Sequence, residues 1–379
     1  DYRRYADRLG IDIRMVASPV LGSAEELTAA GEVLLAMGNA FRQGRYISQQ
    51  LFEPGVPEMF EAARQLAVWS DVLVRHYFHH PAALAAELER VPQASVSFSP
   101  DAIPSADQPP GHLKDFGAWS NRVLWSLAGW ALDQTFLPAM NVLRERAGLG
   151  PLPDSMSGWY ARELNLVAVS EALRPRSDDW GTMHEVTGFL DLPDSHRFDP
   201  LPAEVDEFIR AGATPVFIGF GSLTPKDPEH IRDTLDLIED VVQRTGCRAI
   251  VQGLAEPGAG TQSILHVGRV PHARLYPRCA AAVHHAGAGT TQTVTRAGIP
   301  SVCVPHLADQ FYWGRRLYEL GVAARPLRRT GLTSRRLGRR IIEVLESDAM
   351  PGRCQTLAAT MGNEDGAERA AELVEAIGR

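Results

Sequence analysis

Cysteine is scarce in this 379-residue sequence: Cys247, Cys279, Cys303 and Cys354 are widely spaced, with no C-x-x-C pair. That excludes a disulfide framework and paired-thiol zinc modules, and it reads as reduced structural thiols in a cytoplasmic protein. No run of 18 or more apolar residues occurs, so no segment reads as a membrane-spanning helix, while peripheral contact with a membrane is left open. An excess of basic charge is also missing. Against 46 Asp and Glu stand 38 Lys and Arg, a net charge of −8, which excludes the basic footprint of a nucleic-acid-binding protein. The opening DYRRYADRLG has no apolar centre and does not read as a signal peptide. G-x-x-x-x-G-K-[ST] is absent, so there is no P-loop, and no internal repeat or low-complexity run stands out.

What is present is an ordinary globular composition, 45% hydrophobic and 22% charged, in a chain long enough for two domains. DLPDSHRFDPLPAEVD, Asp191 to Asp206, is rich in Pro and Asp and reads as a linker. The expected organisation is a first domain over 1–192, a linker over 193–204, a second domain over 205–358 and a final helix over 359–379 that packs back on the first domain. Beyond the linker, short β-rich runs alternate with helical spacing. TPVFIGFGS, CRAIVQG, SILHVGRV, AAAVHH and PSVCVP read as strands; PEHIRDTLDLIEDVVQRTG, TTQTVTRAG, DQFYWGRRLYELG and TSRRLGRRIIEVLES read as helices. Alternating βα units predict a parallel sheet covered by helices, an α/β fold. In the first half IDIRMVA, SDVLVRHYF, ASVSFSP and LNLVAVS read as strands. NRVLWSLAGWALDQTFLPAMNVLRERAGL reads as a long helix or a pair broken at Pro138. YRRYADRLG reads as a helix capped by Gly10 with no strand before it, so the first βα unit is expected to be missing from the chain.

The stretch VHHAGAGTT runs strand, turn, helix. Gly287 and Gly289 let backbone approach a ligand that a Cβ would block. The first N–H groups of the helix have no partner inside it, and with the helix dipole they make an anion site. Thr290 and Thr291 add hydroxyls, and His285, at the strand tip, can donate to a phosphate oxygen. This reads as a pyrophosphate cradle without a metal. A metal site at His284–His285 is disfavoured because adjacent strand residues point to opposite faces. Ser222, after VFIGFG, should face the same crevice, because ligands of open α/β sheets sit beyond the carboxyl ends of strands. Asp309 and Gln310 follow another strand and can accept from and donate to sugar hydroxyls, with a helix N-cap as the plainer role of Asp309.

VHHAGAGTT…RAGIPSVCVPHLADQFYW, with RVPHARLYPRCAAAVHH, VTGFLDLP and PVFIGFGSL in the same order, resembles the nucleotide-sugar signature of family 1 glycosyltransferases of the GT-B fold. The likeness is greatest to bacterial glycopeptide-type and sterol-type glucosyltransferases and runs from about residue 160 to the end. The resemblance implies two Rossmann-like parallel-sheet domains facing a cleft. It implies that Val270, through its backbone, and His272 lie by the nucleobase. Ser222, His285, Gly289 and Thr290 would hold the phosphates, and Asp309 and Gln310 the sugar. Ala286 stands where many relatives have glycine. Arg269 stands where plant members stack a tryptophan on uracil, which leaves the base preference open.

The activity implied is inverting transfer of a hexose from a nucleotide diphosphate sugar, UDP-glucose or a TDP-sugar, to a hydroxyl of a lipophilic acceptor such as a sterol, lipid or polyketide. No two aspartates are separated by one residue, so the D-x-D that holds a cation in metal-dependent transferases is absent. No cofactor or metal is expected, and the leaving phosphate would be stabilised by the helix N-terminus and His285. The usual base belongs to the missing first segment, leaving Asp309 as the fallback. His79, His80 and Trp125 are candidates for the acceptor pocket, with core packing as the plainer role of the aromatic residues. A nucleotide-sugar epimerase of the same fold and a non-catalytic nucleotide-sugar-binding partner protein are the alternatives. The sequence leaves the sugar, the acceptor and the oligomeric state undecided.

Overall fold

Among the described residues ten strands form two sheets, and every pairing between those strands is parallel. The structure, a computed structural model, describes residues 3–16, 18–37, 40–111, 113–191, 200–221 and 227–379. Two compact units divide it: residues 1–26, 41–192 and 365–379 form the first, and 27–40 and 193–364 the second. Most of the predicted linker lies outside the described residues.

In the first unit β1 (Leu73–His76), β2 (Gln93–Ser97), β3 (Leu164–Val167) and β4 (His184–Val186) pair in the order β1-β2-β3-β4. The short β4, beside the VTGFLDLP stretch, was not among the predicted strands; three residues with partial burial carry too little periodicity. IDIRMVA is a correction in the other direction. Ile11–Val16 has β-like composition but no ladder partner among the described residues, and Ile11, Ile13, Met15 and Val16 are exposed. A strand without a neighbour leaves its backbone groups unpaired. The helix Gly366–Ile377 lays Ala370, Leu373, Val374 and Ile377 against Ala94, Val96, Leu164 and Leu166.

Pro138 breaks nothing. One helix runs from Ala118 to Arg146 with the proline inside it. Proline removes the bond to the carbonyl four residues earlier, here on Gln134. Both residues are exposed, so water can satisfy that carbonyl, and Phe136 and Met140 hold the helix against Trp159.

In the second unit β5 (Val216–Gly219), β6 (Ala249–Gln252), β7 (Ile264–Val267), β8 (Ala281–His284), β9 (Ser301–Cys303) and β10 (Ala323–Ala324) pair in the order β10-β9-β8-β5-β6-β7. β5, β7 and β8 are buried along their whole length, as strands covered on both faces must be. Helix ends follow local chemistry. Asp227 accepts from the amides of Glu229 and His230 at the start of Pro228–Thr245, which buries Thr234, Ile238, Val241 and Val242 and stops at left-handed Gly246 (φ 66°). Thr333 caps Ser334–Leu345 in the same way.

Candidate functional site

Strand order locates the site. Numbered within the unit, the sheet reads 6-5-4-1-2-3, the doubly wound arrangement whose ligand crevice lies at the carboxyl ends of the two central strands, where the winding reverses. Those strands are β5 and β8, with Gly219 paired to His284. One residue beyond β8 stands His285. Its ring is wedged between two glycines: a Cβ on Gly221 would lie 2.6 Å from its Cε1, and one on Gly287 would lie 2.5 Å from its Nε2. Gly221 also needs its positive φ of 81°. These glycines therefore clear space for the imidazole itself, whereas a Cβ on Gly289 would meet nothing within 4 Å. The open space that the cradle reading requires lies at Gly289.

His284 and His285 have separate jobs. His284 is fully buried; the Ala286 amide donates to its Nδ1 at 3.1 Å, and its Nε2 is 3.9 Å from the Cys303 sulfur. Between the turn residues, Ala286 is buried with φ of 62°, a left-handed conformation that favours glycine. The helix Ala288–Arg296 then begins with Gly287 at its N-cap and no side chain capping it. The amides of Ala288, Gly289 and Thr290 consequently have no intrahelical partner. Thr290 is half-buried at this end. Thr291 corrects the expectation of two hydroxyls: it is fully buried and its Oγ1 meets no partner among the described residues, so it faces the core. Ser222 lies outside the described residues.

After β9 the chain makes a tight loop through left-handed Ala308 (φ 49°) into the helix Gln310–Glu319. Gln310 is buried, and its Oε1 accepts from the amides of His306 at 2.8 Å and Leu307 at 3.2 Å. It thus ties its own loop, and Nε2 is the part left for another molecule. Asp309 holds the N-cap position without a side-chain cap bond and is half-buried.

On the β6 side, His272 stacks on Tyr276 with ring centroids 4.7 Å apart, and its Nε2 lies 2.8 Å from Oε1 of Gln252. The Val270 side chain belongs to the core beneath, beside Phe217 and Tyr276, which leaves its backbone as the part able to meet a base. Burial lowers the imidazole pKa of His285 and His272 to about 4 and of His284 to about 3, so all three are neutral near pH 7. Nδ1 of His285 is buried without a hydrogen-bond partner among the described residues. Among the described residues, no group of three or more His, Cys, Asp or Glu could hold a metal ion.

Sequence reasoning missed two neighbours. His306 is buried, its ring 6.5 Å from that of His285 and 5.8 Å from that of Phe220. Among the described residues neither of its nitrogens reaches hydrogen-bond geometry, although the Val304 carbonyl lies close enough to favour its proton. Its place between a strand end and Asp309–Gln310 was the available signal. Gln252 ends β6, and nothing in its local sequence marks it.

In the first unit, His79 caps the helix His80–Glu89, its Nδ1 accepting from the Ala82 amide at 3.1 Å. His80 is buried beside Phe52 and borders a cavity, and its pKa is lowered to about 3 by burial. Trp125 is buried and donates its indole N–H to the Gln108 carbonyl at 2.9 Å. These contacts give His79 and Trp125 structural work; the exposed tryptophans of the same helix are Trp119 and Trp130.

Comparison with known proteins agrees with this geometry. Residues 257–377 match the family described as Erythromycin biosynthesis protein CIII-like, C-terminal domain. A dTDP-epi-vancosaminyltransferase of Amycolatopsis orientalis is 32% identical over 336 residues, covering 83% of this chain and 78% of that protein. A sterol 3-beta-glucosyltransferase of Arabidopsis thaliana is 36% identical over 201 residues, 52% of this chain but 31% of that protein, so the chain spans about a third of the plant relative's length. The solved structure of the kitacinnamycin glycotransferase superposes with a TM-score of 0.66 at 20% identity, covering 100% of this chain and 90% of that one. No helix among the described residues is long and apolar enough to cross a membrane. With its doubly wound second unit, its glycine-flanked His285 and a relative matched over most of both chains, this chain belongs to the family 1 glycosyltransferases of the GT-B fold.

Proposed function

We propose that the chain transfers a hexose, with inversion and without a metal, from a nucleotide diphosphate sugar to a hydroxyl of a lipophilic natural-product or sterol-like acceptor. The observation carrying this reading is His285, held between Gly221 and Gly287 at the switch point and followed at once by an uncapped helix. The acceptor oxygen attacks the anomeric carbon as the bond to the diphosphate breaks. Negative charge grows on the leaving phosphate, where fixed donors help most. The amides of Ala288, Gly289 and Thr290 and the imidazole N–H of His285 are such donors. A neutral imidazole suits the task, since it donates one hydrogen bond without first being desolvated as a cation. Nε2 of Gln310 and the carboxylate of Asp309 would hold sugar hydroxyls, with Asp309 the candidate base. The dTDP in the name of the Amycolatopsis relative supports a dTDP-sugar alongside UDP-glucose as donor.

Calorimetric titration with UDP, dTDP and GDP in the presence of EDTA tests the reading. One diphosphate should bind, and His285→Ala should weaken it about tenfold or more, the worth of one hydrogen bond to a charged group. Binding that needs added divalent metal, or that is indifferent to His285, would overturn it.

A further inference from the structure

The first unit holds a cavity of about 440 Å³ that the transferase chemistry above does not use. Four guanidinium groups border it, on Arg75, Arg90, Arg144 and Arg162, against the carboxylates of Glu87 and Glu163, a balance of plus two. Arg144 is committed, since two of its nitrogens bond Glu87 at 2.6 and 3.0 Å and its Nε bonds the Gly150 carbonyl. Arg75 is only partly committed. It is 5% exposed; Nε donates to Gln93 at 2.9 Å, and Nη1 donates to the carbonyls of Tyr77 at 3.0 Å and Trp159 at 2.7 Å. Its Nη2 has no hydrogen-bond partner among the described residues, and no carboxylate there lies within ion-pair distance of it. Burial lowers the Arg75 pKa to about 10, with Glu163 opposing the shift from farther away. A largely buried guanidinium that turns one nitrogen onto a cavity is well placed to take an anion. Arg90 and Arg162 are exposed at the rim, and neither guanidinium makes a hydrogen bond or ion pair with a described residue.

Position separates this cavity from a substrate crevice. Arg90 and Gln93 lie at the start of β2, and Arg162 and Glu163 immediately precede β3, so the charged rim is at the amino ends of the strands. Substrates of open α/β sheets bind at the opposite, carboxyl ends. Leu84, Met140, Leu143 and Ile377 give the cavity an apolar wall, and Ile377 brings in the final helix. We propose that the cavity binds a phosphate monoester of an apolar alcohol. The dianionic group is taken by Nη2 of Arg75 together with Arg90 and Arg162, and the apolar part lies against Leu84, Met140 and Leu143. The net charge of the lining favours a dianion over a monocarboxylate, and the planar donors of arginine suit phosphate oxygens.

The test uses the full chain with phenyl phosphate as probe and benzoate and phenol as comparators, read by calorimetry and by the melting shift at constant ionic strength. Phenyl phosphate should bind at one site about tenfold more tightly than benzoate, and phenol should not register. Arg75→Gln removes a buried bond network and can unfold the unit, so the exposed pair carries the test. R90S/R162S should melt as the parent does yet lose about tenfold in affinity for phenyl phosphate. His285→Ala should bind it as the parent does. Absence of binding, parental affinity in R90S/R162S, or loss of binding in His285→Ala would each overturn the proposal, the last by placing the probe in the second unit.

Discussion

Two glycines in one turn are expected to behave oppositely at the residue scale. Gly287→Ala drives a methyl into the His285 ring, so both stability and diphosphate affinity should fall. Gly289→Ala adds a methyl into open space at the second position of a helix, where alanine is the better helix former. Its melting temperature should hold or rise, while diphosphate affinity drops about tenfold or more if backbone approach is what the glycine provides. Melting curves paired with titrations decide the matter; a Gly289→Ala protein that binds as the parent does would remove that amide from the cradle. The residue types of this turn could be read directly, because exposed glycine and hydroxyl before a helix are chemically unusual. The role of Gly287 could not, because it depends on where a side chain two residues earlier turns.

Capping chemistry made several elements legible. Asp227, Gly246 and Thr333 act within a few residues of themselves, so their helices begin and end where local rules place them. Pro138 misled for the complementary reason: a local rule was overridden by packing from Phe136, Met140 and Trp159. Pro138→Ala restores the hydrogen bond to Gln134 within Ala118–Arg146. It should stabilise the protein by about 2 kcal/mol, the helix-interior penalty less the entropy that proline removes from the unfolded chain. A higher urea midpoint with unchanged slope is the expected result. A lower midpoint would mean that the proline shapes a bend the unit needs.

Buried histidines set the acid response of the whole molecule. Burial lowers the pKa of His80, His284 and His306 to about 3 and of His184, His272 and His285 to about 4. In the unfolded chain each takes a proton near pH 6.5, roughly the ordinary histidine value. Between there and the folded pKa values the unfolded state binds more protons, so stability falls as pH falls, by at most about 1.4 kcal/mol per pH unit for each group. The stability these groups contribute is complete above pH 6.5 and is lost progressively down to pH 4 and below. Urea unfolding at pH 7 and pH 5 should therefore give a clearly lower midpoint at pH 5, and equal midpoints would contradict the burial of these rings. By themselves the residues determined the alternation of β5 to β9 with their helices, because apolar periodicity and caps act locally. They also determined the family to which the chain belongs, through motif blocks kept in order. Tertiary structure alone decided that β5 lies beside β8, that Gly221 and Gly287 close on the ring of His285 from two strands, and that the largely buried Arg75 lines a cavity. Those are contacts between residues distant in sequence, and they follow from strand order and packing, which no local pattern encodes.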